Sequence, residues 1–147
     1  MKIDNFYYNG QTGHASTTIT DKHGHIYVGM ADCHPDDAKY KSEQIGRDLS
    51  YMRAIQDKQT QEIAIERENI KIIEDFIKNV ESYKDYDEKD KVAYLMRHQL
   101  GKRKKHLAAM KKDRDVTKWI IKEIVNKGLN LDNVLLKLES AMDKEEV

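Results

Sequence analysis

One apolar stripe in a segment from about Pro35 to Tyr83, which no internal proline breaks, most constrains the fold of this chain. Isoleucine, leucine, methionine and valine recur there at steps of three, four or seven, with one step of eleven from Met52 to Ile63, which is the spacing of one helix face. The stripe comprises Ile45, Leu49, Met52, Ile63, Ile70, Ile73, Ile77 and Val80. Such a helix spans about 70 Å, whereas a compact domain of this length has a radius of gyration of only about 15 Å. We therefore expect a partner helix and a partner subunit.

The composition fits one long-helix domain with a thin core. The chain has 147 residues, of which 35% are charged and 39% are hydrophobic, a profile typical of long helices. His34-Pro35 followed by two aspartates is a helix start, and Gly128 is a stop signal. We expect a mainly helical single domain, 1–147. It divides into a β-hairpin region at 1–33, a long helix at 34–83, a second helix at 88–127 and a short helix at 130–143.

The first thirty residues carry the signature of a β-hairpin. Two β-branched runs, Ser16–Thr20 and Ile26–Met30, flank the turn sequence Asp21-Lys22-His23-Gly24, in which glycine supplies a positive φ. An isolated hairpin is marginal in water. Its apolar side chains Ile19, Ile26 and Val28 are therefore expected to pack near Ile45 and Leu49, or on another subunit. The segment Lys2–Asn9 is either a short strand or a docking arm.

Two arginines, Arg103 and Arg114, interrupt the apolar seam of the second helix. The stripe of the first helix has a matching polar gap at Gln56 and Gln59. An antiparallel hairpin of the two helices, turning near residue 86, sets Arg114 opposite Gln59 and Arg103 near Ile70. Two interpretations stay open: a polar layer that fixes the register of the helices, or arginines that project towards an anionic ligand.

Charge is also separated along the chain. From Asp57 to Asp90 there are 11 acidic and 6 basic residues, a net charge of −5, and from Arg97 to Arg114 there are 8 basic and 1 acidic, a net charge of +7. The simplest explanation is pairing between antiparallel helices. The alternative is phosphate binding by clustered cations, with nearby aromatic residues that either stack on a base or belong to the core. These aromatic residues are Phe76, Tyr83, Tyr86 and Tyr94.

Signals for catalysis and for metal binding are weak. The chain has no phosphate-binding glycine loop, no dinucleotide fingerprint and no nucleophile elbow. The single cysteine, Cys33, excludes an intrachain disulfide, and the histidines near it lack zinc-ligand spacing. We expect a protein that is not an enzyme and that holds no metal or cofactor. The absence of a signal peptide and of a long apolar run predicts a cytoplasmic protein with no membrane partner.

The stretch from His14 to Ala54 resembles a family of small phage proteins. The resemblance rests on His14-Ala15-Ser16-Thr17-Thr18, on Asp21-Lys22-His23-Gly24, on Val28 to Asp37 with its Cys-His-Pro-Asp-Asp ending, and on Arg53-Ala54. This pattern is similar to the anti-Thoeris sponge family, phage proteins that capture cyclic ADP-ribose signals. It covers about a quarter of the chain closely and the remainder in outline.

The resemblance implies a function and a set of site residues. It implies a phage anti-defence protein of the host cytoplasm that sequesters a cyclic nucleotide, a cyclic ADP-ribose isomer or a cyclic oligonucleotide, without cleaving it. It also implies dimers or larger homo-oligomers, with a pocket between subunits that uses arginines of the second helix and an aromatic. The residues placed in the ligand site are Arg103, Arg97, Lys102, Phe76 and Arg53. Four residues after Arg103, where the family has a second arginine, this chain has Leu107.

The sequence is also compatible with two other classes of function. One is a protein-binding antagonist or scaffold that uses the helical hairpin. The other is a nucleic-acid-binding protein that uses the basic second helix, for which the cations must lie exposed on one continuous face and binding must fall steeply with salt.

Overall fold

The computed structural model describes residues 2–32, 42–83 and 88–145. Three strands come first: β1 (Lys2–Tyr8), β2 (Ala15–Thr20) and β3 (Ile26–Ala31). Three helices follow: α1 (Glu43–Ser82), α2 (Lys89–Lys127) and α3 (Leu131–Glu145). The fold is mainly helical with a small N-terminal sheet, as predicted. The predicted helix start at His34–Asp37, Cys33 and the turn residue Tyr86 lie outside the described residues.

The chain forms two compact units. The first contains Met1–Lys58 and Asp115–Val147, and the second is Gln59–Arg114. The first unit therefore holds the sheet, the start of α1, the end of α2 and α3, and the second holds the rest of α1 and α2. Within the described residues, no helix is long and apolar enough to cross a membrane.

In the first unit the sheet has three antiparallel strands in the order β1-β2-β3. Strands β2 and β3 form the predicted hairpin, with Thr18 opposite Val28, and Gly24 has the predicted positive φ of 83°. Segment Lys2–Tyr8 is a strand rather than a docking arm, and a register shift separates Ile3 from Asn5.

Ile26 and Val28 do not pack on α1 near Ile45 and Leu49, so this part of the prediction was wrong for them, and packing on another subunit stays a prediction. Both side chains are exposed, and the inward-facing positions of β3 are Tyr27, Gly29 and Ala31. Because side chains alternate between the two faces of a strand, a parity error of one residue reverses the face of every side chain. Ile19, by contrast, is fully buried as predicted, although it packs with Tyr27 and Ala54 and not at Ile45 or Leu49.

Helix α1 crosses the inner face of the sheet at Gly29. A Cβ atom at Gly29 would collide with the Ser50 carbonyl oxygen and the Ala54 amide nitrogen. A buried hydrogen bond of 2.6 Å between the hydroxyl oxygens of Thr17 and Ser50 joins the same two elements. The apolar core beside this crossing comprises Ala15, Ala31, Leu49, Met52, Ile120, Ile124 and Val134.

The helix ends of the first unit follow the predicted signals. Gly128 has a φ of 63° directly after α2 ends. Asn130 caps α3, since its side-chain oxygen accepts a hydrogen bond of 2.9 Å from the amide of Asn133. The Asp48 carboxylate of α1 adds a contact that the sequence did not predict, by accepting a 3.0 Å hydrogen bond from the Leu131 amide.

The second unit is the antiparallel helical hairpin formed by α1 and α2. The predicted stripe of α1 is its covered face, with Ile63, Ile70, Ile77 and Val80 all at most 8% exposed. The facing residues of α2 are only half-buried at Met96, Leu100, Leu107 and Met110. Two helices alone bury one narrow seam, which leaves both of their flanks open.

Candidate ligand-binding surface

Arg103 of α2 pairs with Glu66 inside the seam of the hairpin. Its Nη1 lies 3.2 and 3.3 Å from the two carboxylate oxygens of Glu66. The Glu66 side chain is 10% exposed and the Arg103 side chain 44% exposed. Hydrogen bonding to the buried carboxylate therefore neutralises Arg103 within the chain. This contact supports the interpretation of Arg103 as part of a polar layer.

One flank of the hairpin is held by ion pairs between the two helices. Arg97 pairs with Glu81, and Lys104 pairs with Glu74 at 3.4 Å. These positions lie beside the seam, where antiparallel coiled coils place interhelical charge pairs. We call this side, made of Glu74, Glu81, Arg97 and Lys104, the ion-pair flank. It shows that part of the charge separation reflects helix pairing.

The opposite flank combines an aromatic residue with a lysine. Phe76 follows Glu74 by two residues and Lys102 precedes Lys104 by two, a rotation of about 200° about each helix axis. Since the helices run antiparallel, both side chains come to the side away from the ion pairs. Phe76 is 45% exposed, and Lys102 is exposed and forms no ion pair with a described residue. Two predicted site residues thus share one surface.

This second flank is also rich in exposed apolar side chains. The α1 side carries Ile65, Ile72, Phe76 and Tyr83 at steps of seven, four and seven, with exposures of 59%, 58%, 45% and 63%. Leu95 and Ala109 of α2 lie on the same side, because they are spaced by seven residues from Lys102. We call this side, made of these six residues, the apolar flank.

The predicted site residues are therefore divided among several places. Phe76 and Lys102 lie on the apolar side of the hairpin, Arg97 lies on the ion-pair flank and Arg103 lies in the seam. Arg53 belongs to the first unit, where its Nη1 donates a 2.8 Å hydrogen bond to the Met30 carbonyl oxygen at the end of the sheet.

Gln59 of α1 and Arg114 of α2, which the sequence places opposite each other, each carry a buried polar atom in the second unit. The buried Gln59 Oε1 and Arg114 Nε atoms have no hydrogen-bond partner in the described part of the chain. One atom is a hydrogen-bond acceptor and the other a donor, so the two are chemically matched, since Nε–H can donate to Oε1. Their pairing across the hairpin stays a prediction.

The outward side of α2 carries unpaired positive charge. Lys102, Lys105 and Lys112 are all exposed, and none of them forms an ion pair with a residue that the structure describes. They follow one another at steps of three and seven, so they lie along one outer strip of the helix. Pairing within the hairpin therefore leaves an excess of cations for an external anion.

His23 and His25 lie in the β2–β3 turn and donate hydrogen bonds to the Asp21 carboxylate, His23 from its amide and His25 from its amide and ring. Burial raises the pKa of Asp21, but hydrogen bonds from the His25 and His23 amides, the Tyr27 hydroxyl and the His25 ring outweigh this effect and lower it to about 2. Asp21 thereby organises the β2–β3 turn. Among the described residues, no group of histidine, cysteine, aspartate or glutamate side chains is arranged to hold a metal ion.

Sequence reasoning missed Glu66, the partner of Arg103. A signal was present, because the apolar stripe of α1 steps from Ile63 to Ile70 and leaves the intervening core position to this carboxylate. A glutamate at a seam position opposite an arginine indicates a buried ion pair.

Comparisons with known proteins identified no relative of this chain. No protein-family model, curated protein or solved structure matches this chain.

Proposed function

We propose that this protein binds and sequesters an anionic cyclic nucleotide signal, a cyclic ADP-ribose isomer or a cyclic oligonucleotide, without cleaving it. In this proposal it is a phage anti-defence protein that works in the host cytoplasm as an assembly of two or more copies. The resemblance of residues 14–54 to the anti-Thoeris sponge family supplies the class of ligand.

The observation that carries the proposal is the placement of Phe76 and Lys102 on one side of the hairpin. A cyclic ADP-ribose isomer or a cyclic oligonucleotide has at least one flat base and two phosphate charges. An exposed aromatic ring offers a stacking surface for the base, and an unpaired ammonium offers a charge-assisted hydrogen bond to a phosphate oxygen. The cation excess on the outward strip of α2 adds a field that attracts the same ligand.

Arg103 and Arg97 have conditional roles in this proposal. Each is paired with a glutamate, so a phosphate can engage either guanidinium only by sharing it with that carboxylate or by displacing it. Arg103 retains donors beyond those that face Glu66, because a guanidinium has five N–H groups. Arg53 can contribute Nη1 to a ligand site only if its hydrogen bond to the Met30 carbonyl oxygen breaks.

The test is calorimetric titration of cyclic ADP-ribose isomers and cyclic oligonucleotides into the wild-type chain and two variants. Lys102→Ala removes the unpaired cation, and loss of one charge-assisted contact costs about 1.5–3 kcal/mol, or roughly 10- to 150-fold in affinity. Phe76→Ala removes the stacking surface, and a stacked base is worth about 1–3 kcal/mol. Both variants should therefore bind at least about tenfold more weakly.

Two variants elsewhere on α2 are matched controls. Lys118→Ala removes an exposed cation outside the strip of Lys102, Lys105 and Lys112, and Tyr94→Ala removes an aromatic ring that is 70% exposed. Both should bind within about threefold of wild type if the ligand lies on the apolar flank. If the test and control variants lost affinity equally, the binding would reflect diffuse charge attraction and not a site on the apolar flank. Recovery of a cleaved ligand after heat release would make the protein an enzyme and overturn the proposal.

Nucleic-acid binding is the second candidate function. It is favoured by the exposed strip of Lys102, Lys105 and Lys112, which matches the continuous basic face that such binding requires. In that case affinity for an oligonucleotide falls linearly with salt on a double-logarithmic plot, with a slope of about −0.7 to −0.9 per phosphate contacted. Losses in the Lys105→Ala and Lys112→Ala variants would then equal the loss in Lys102→Ala.

A further inference from the structure

We propose that the apolar flank is a self-association surface, on which a second copy of this chain docks its own apolar flank. The inference gives the self-association in the proposed function a specific surface. It rests on the exposure and charge of the hairpin and requires no bound nucleotide.

The flank has the pattern of an unfinished helical core. Ile65, Ile72 and Phe76 lie along one line of α1 at helical spacing, and each is at least 45% exposed within the chain. The covered stripe of α1 already serves the seam with α2, so about half of the surface of this second stripe stays open to another partner. A helix with two apolar stripes on adjacent faces is typical of a bundle with more than two helices.

Charged residues border this flank with opposite sign on the two helices. On α1, Glu68 and Asp75 follow Ile65 and Ile72 by three residues, so they lie on the outer side of the apolar line. On α2, Lys105 and Lys112 follow Lys102 and Ala109 by three residues and border the flank in the same way. All four side chains are outside the ion pairs that join the two helices. The border is acidic along α1 and basic along α2.

The border charges favour a second copy of this chain as the partner, and they favour one of two possible directions of the twofold axis. A twofold axis perpendicular to the helices would lay α1 on its own copy, which would set Glu68 and Asp75 against carboxylates and Lys105 and Lys112 against lysines. A twofold axis parallel to the helices lays α1 on α2 of the second copy, antiparallel, and faces the acidic border with the basic one at both edges. A self-complementary patch of this kind closes as an isologous dimer, here a four-helix bundle.

The first arm of the test is analytical ultracentrifugation of the ligand-free full chain at micromolar concentration. The wild-type chain should sediment as a dimer or larger. Ile72→Glu places a carboxylate in the centre of the flank and should raise the dissociation constant at least about tenfold. Circular dichroism should show unchanged helix content, because Ile72 is 58% exposed in the single chain. Tyr94→Glu, on the outer side of α2, is the matched control and should remain associated.

The second arm tests orientation by charge reversal. Glu68→Lys with Asp75→Lys, or Lys105→Glu with Lys112→Glu, should weaken association, because each opposes like charges across the interface. A chain with all four reversals should associate like wild type. If α1 instead met its own copy, either half-reversal would leave association unchanged, and that result would overturn the proposed orientation.

Three results would overturn the surface itself. They are a monomeric wild-type chain, association unaffected by Ile72→Glu, and association lost in Val28→Glu but not in Ile72→Glu. The last result would place the contact on the exposed outer face of the sheet, where Ile26 and Val28 lie. A monomer that still binds a cyclic nucleotide in calorimetry would remove this inference and leave ligand binding standing. A dimer that binds no nucleotide would remove the proposed ligand binding and leave the self-association surface standing.

Discussion

Arg103 on α2 contacts both carboxylate oxygens of Glu66 on α1, with Nη1–O distances of 3.2 and 3.3 Å. This contact sits at a seam position on each helix, between apolar layers. An ion pair there favours one register of the two helices, and it compensates the charge of one of the most prominent cations of α2 although that side chain stays 44% exposed. The arginine most suggestive of a ligand from the sequence therefore has a structural partner within the chain.

Removing only one member of this pair should destabilise the hairpin. Arg103→Ala leaves the buried Glu66 carboxylate without its partner, at a cost of about 1–3 kcal/mol in the free energy of unfolding. The change is measured by urea denaturation followed by far-ultraviolet circular dichroism.

The paired replacement is the control for the Arg103 variant. Arg103→Met with Glu66→Leu removes both charges together. Its free energy of unfolding should lie within about 1 kcal/mol of the wild-type value, because apolar side chains can replace a buried ion pair. A single variant as stable as wild type would contradict the buried pairing. The comparison also separates loss of ligand binding from loss of structure.

Gly29→Ala should destabilise the first unit. The added methyl group meets the backbone of α1 at Ser50 and Ala54, so the helix has to move away from the sheet, at a cost of about 1–3 kcal/mol. Gly101→Ala is the matched control, since no atom lies near its added methyl group and alanine is the better helix former by about 1 kcal/mol. Opposite shifts in melting temperature are expected, and equal shifts would contradict the close approach of α1 to β3.

Asp21 should make the β2–β3 turn sensitive to acid. Its pKa is lowered to about 2 in the folded chain, below the unfolded value of about 3.9. A carboxylate with a lowered folded pKa stabilises the fold above the unfolded pKa, and this contribution disappears as the pH falls towards the folded pKa. The difference in melting temperature between wild type and Asp21→Asn should therefore shrink between about pH 4 and pH 2. A difference independent of pH would contradict this role.

The sequence predicted the features that depend on local pattern. The stripe from Leu49 to Val80, the turn at Gly24 and the stop at Gly128 each follow from residue spacing or from backbone sterics. The face of β3 that packs on α1 within the chain was misassigned because Ile26 and Val28 are more apolar than Gly29 and Ala31. Small residues occupy the inner face there because the backbone of α1 approaches closely, and no rule of periodicity reveals that approach.

The candidate surface was less predictable than the fold. Phe76 and Lys102 were among the predicted site residues, but their shared flank follows only from the ion pairs of Glu74 with Lys104 and of Glu81 with Arg97. Sequence separation alone does not indicate on which side of a hairpin two residues meet. The apolar stripe of Ile65, Ile72 and Phe76 was overlooked because the stronger seam stripe dominates the same helix.

Native mass spectrometry of the full chain after incubation with a cyclic ADP-ribose isomer tests sequestration most directly. We expect the mass of an assembly of at least two copies with intact ligand bound, and chromatographic recovery of the unchanged nucleotide after heat release. Cyclic oligonucleotides should be tested in the same way. A monomer that retains no cyclic nucleotide of either kind would overturn the proposed sequestration.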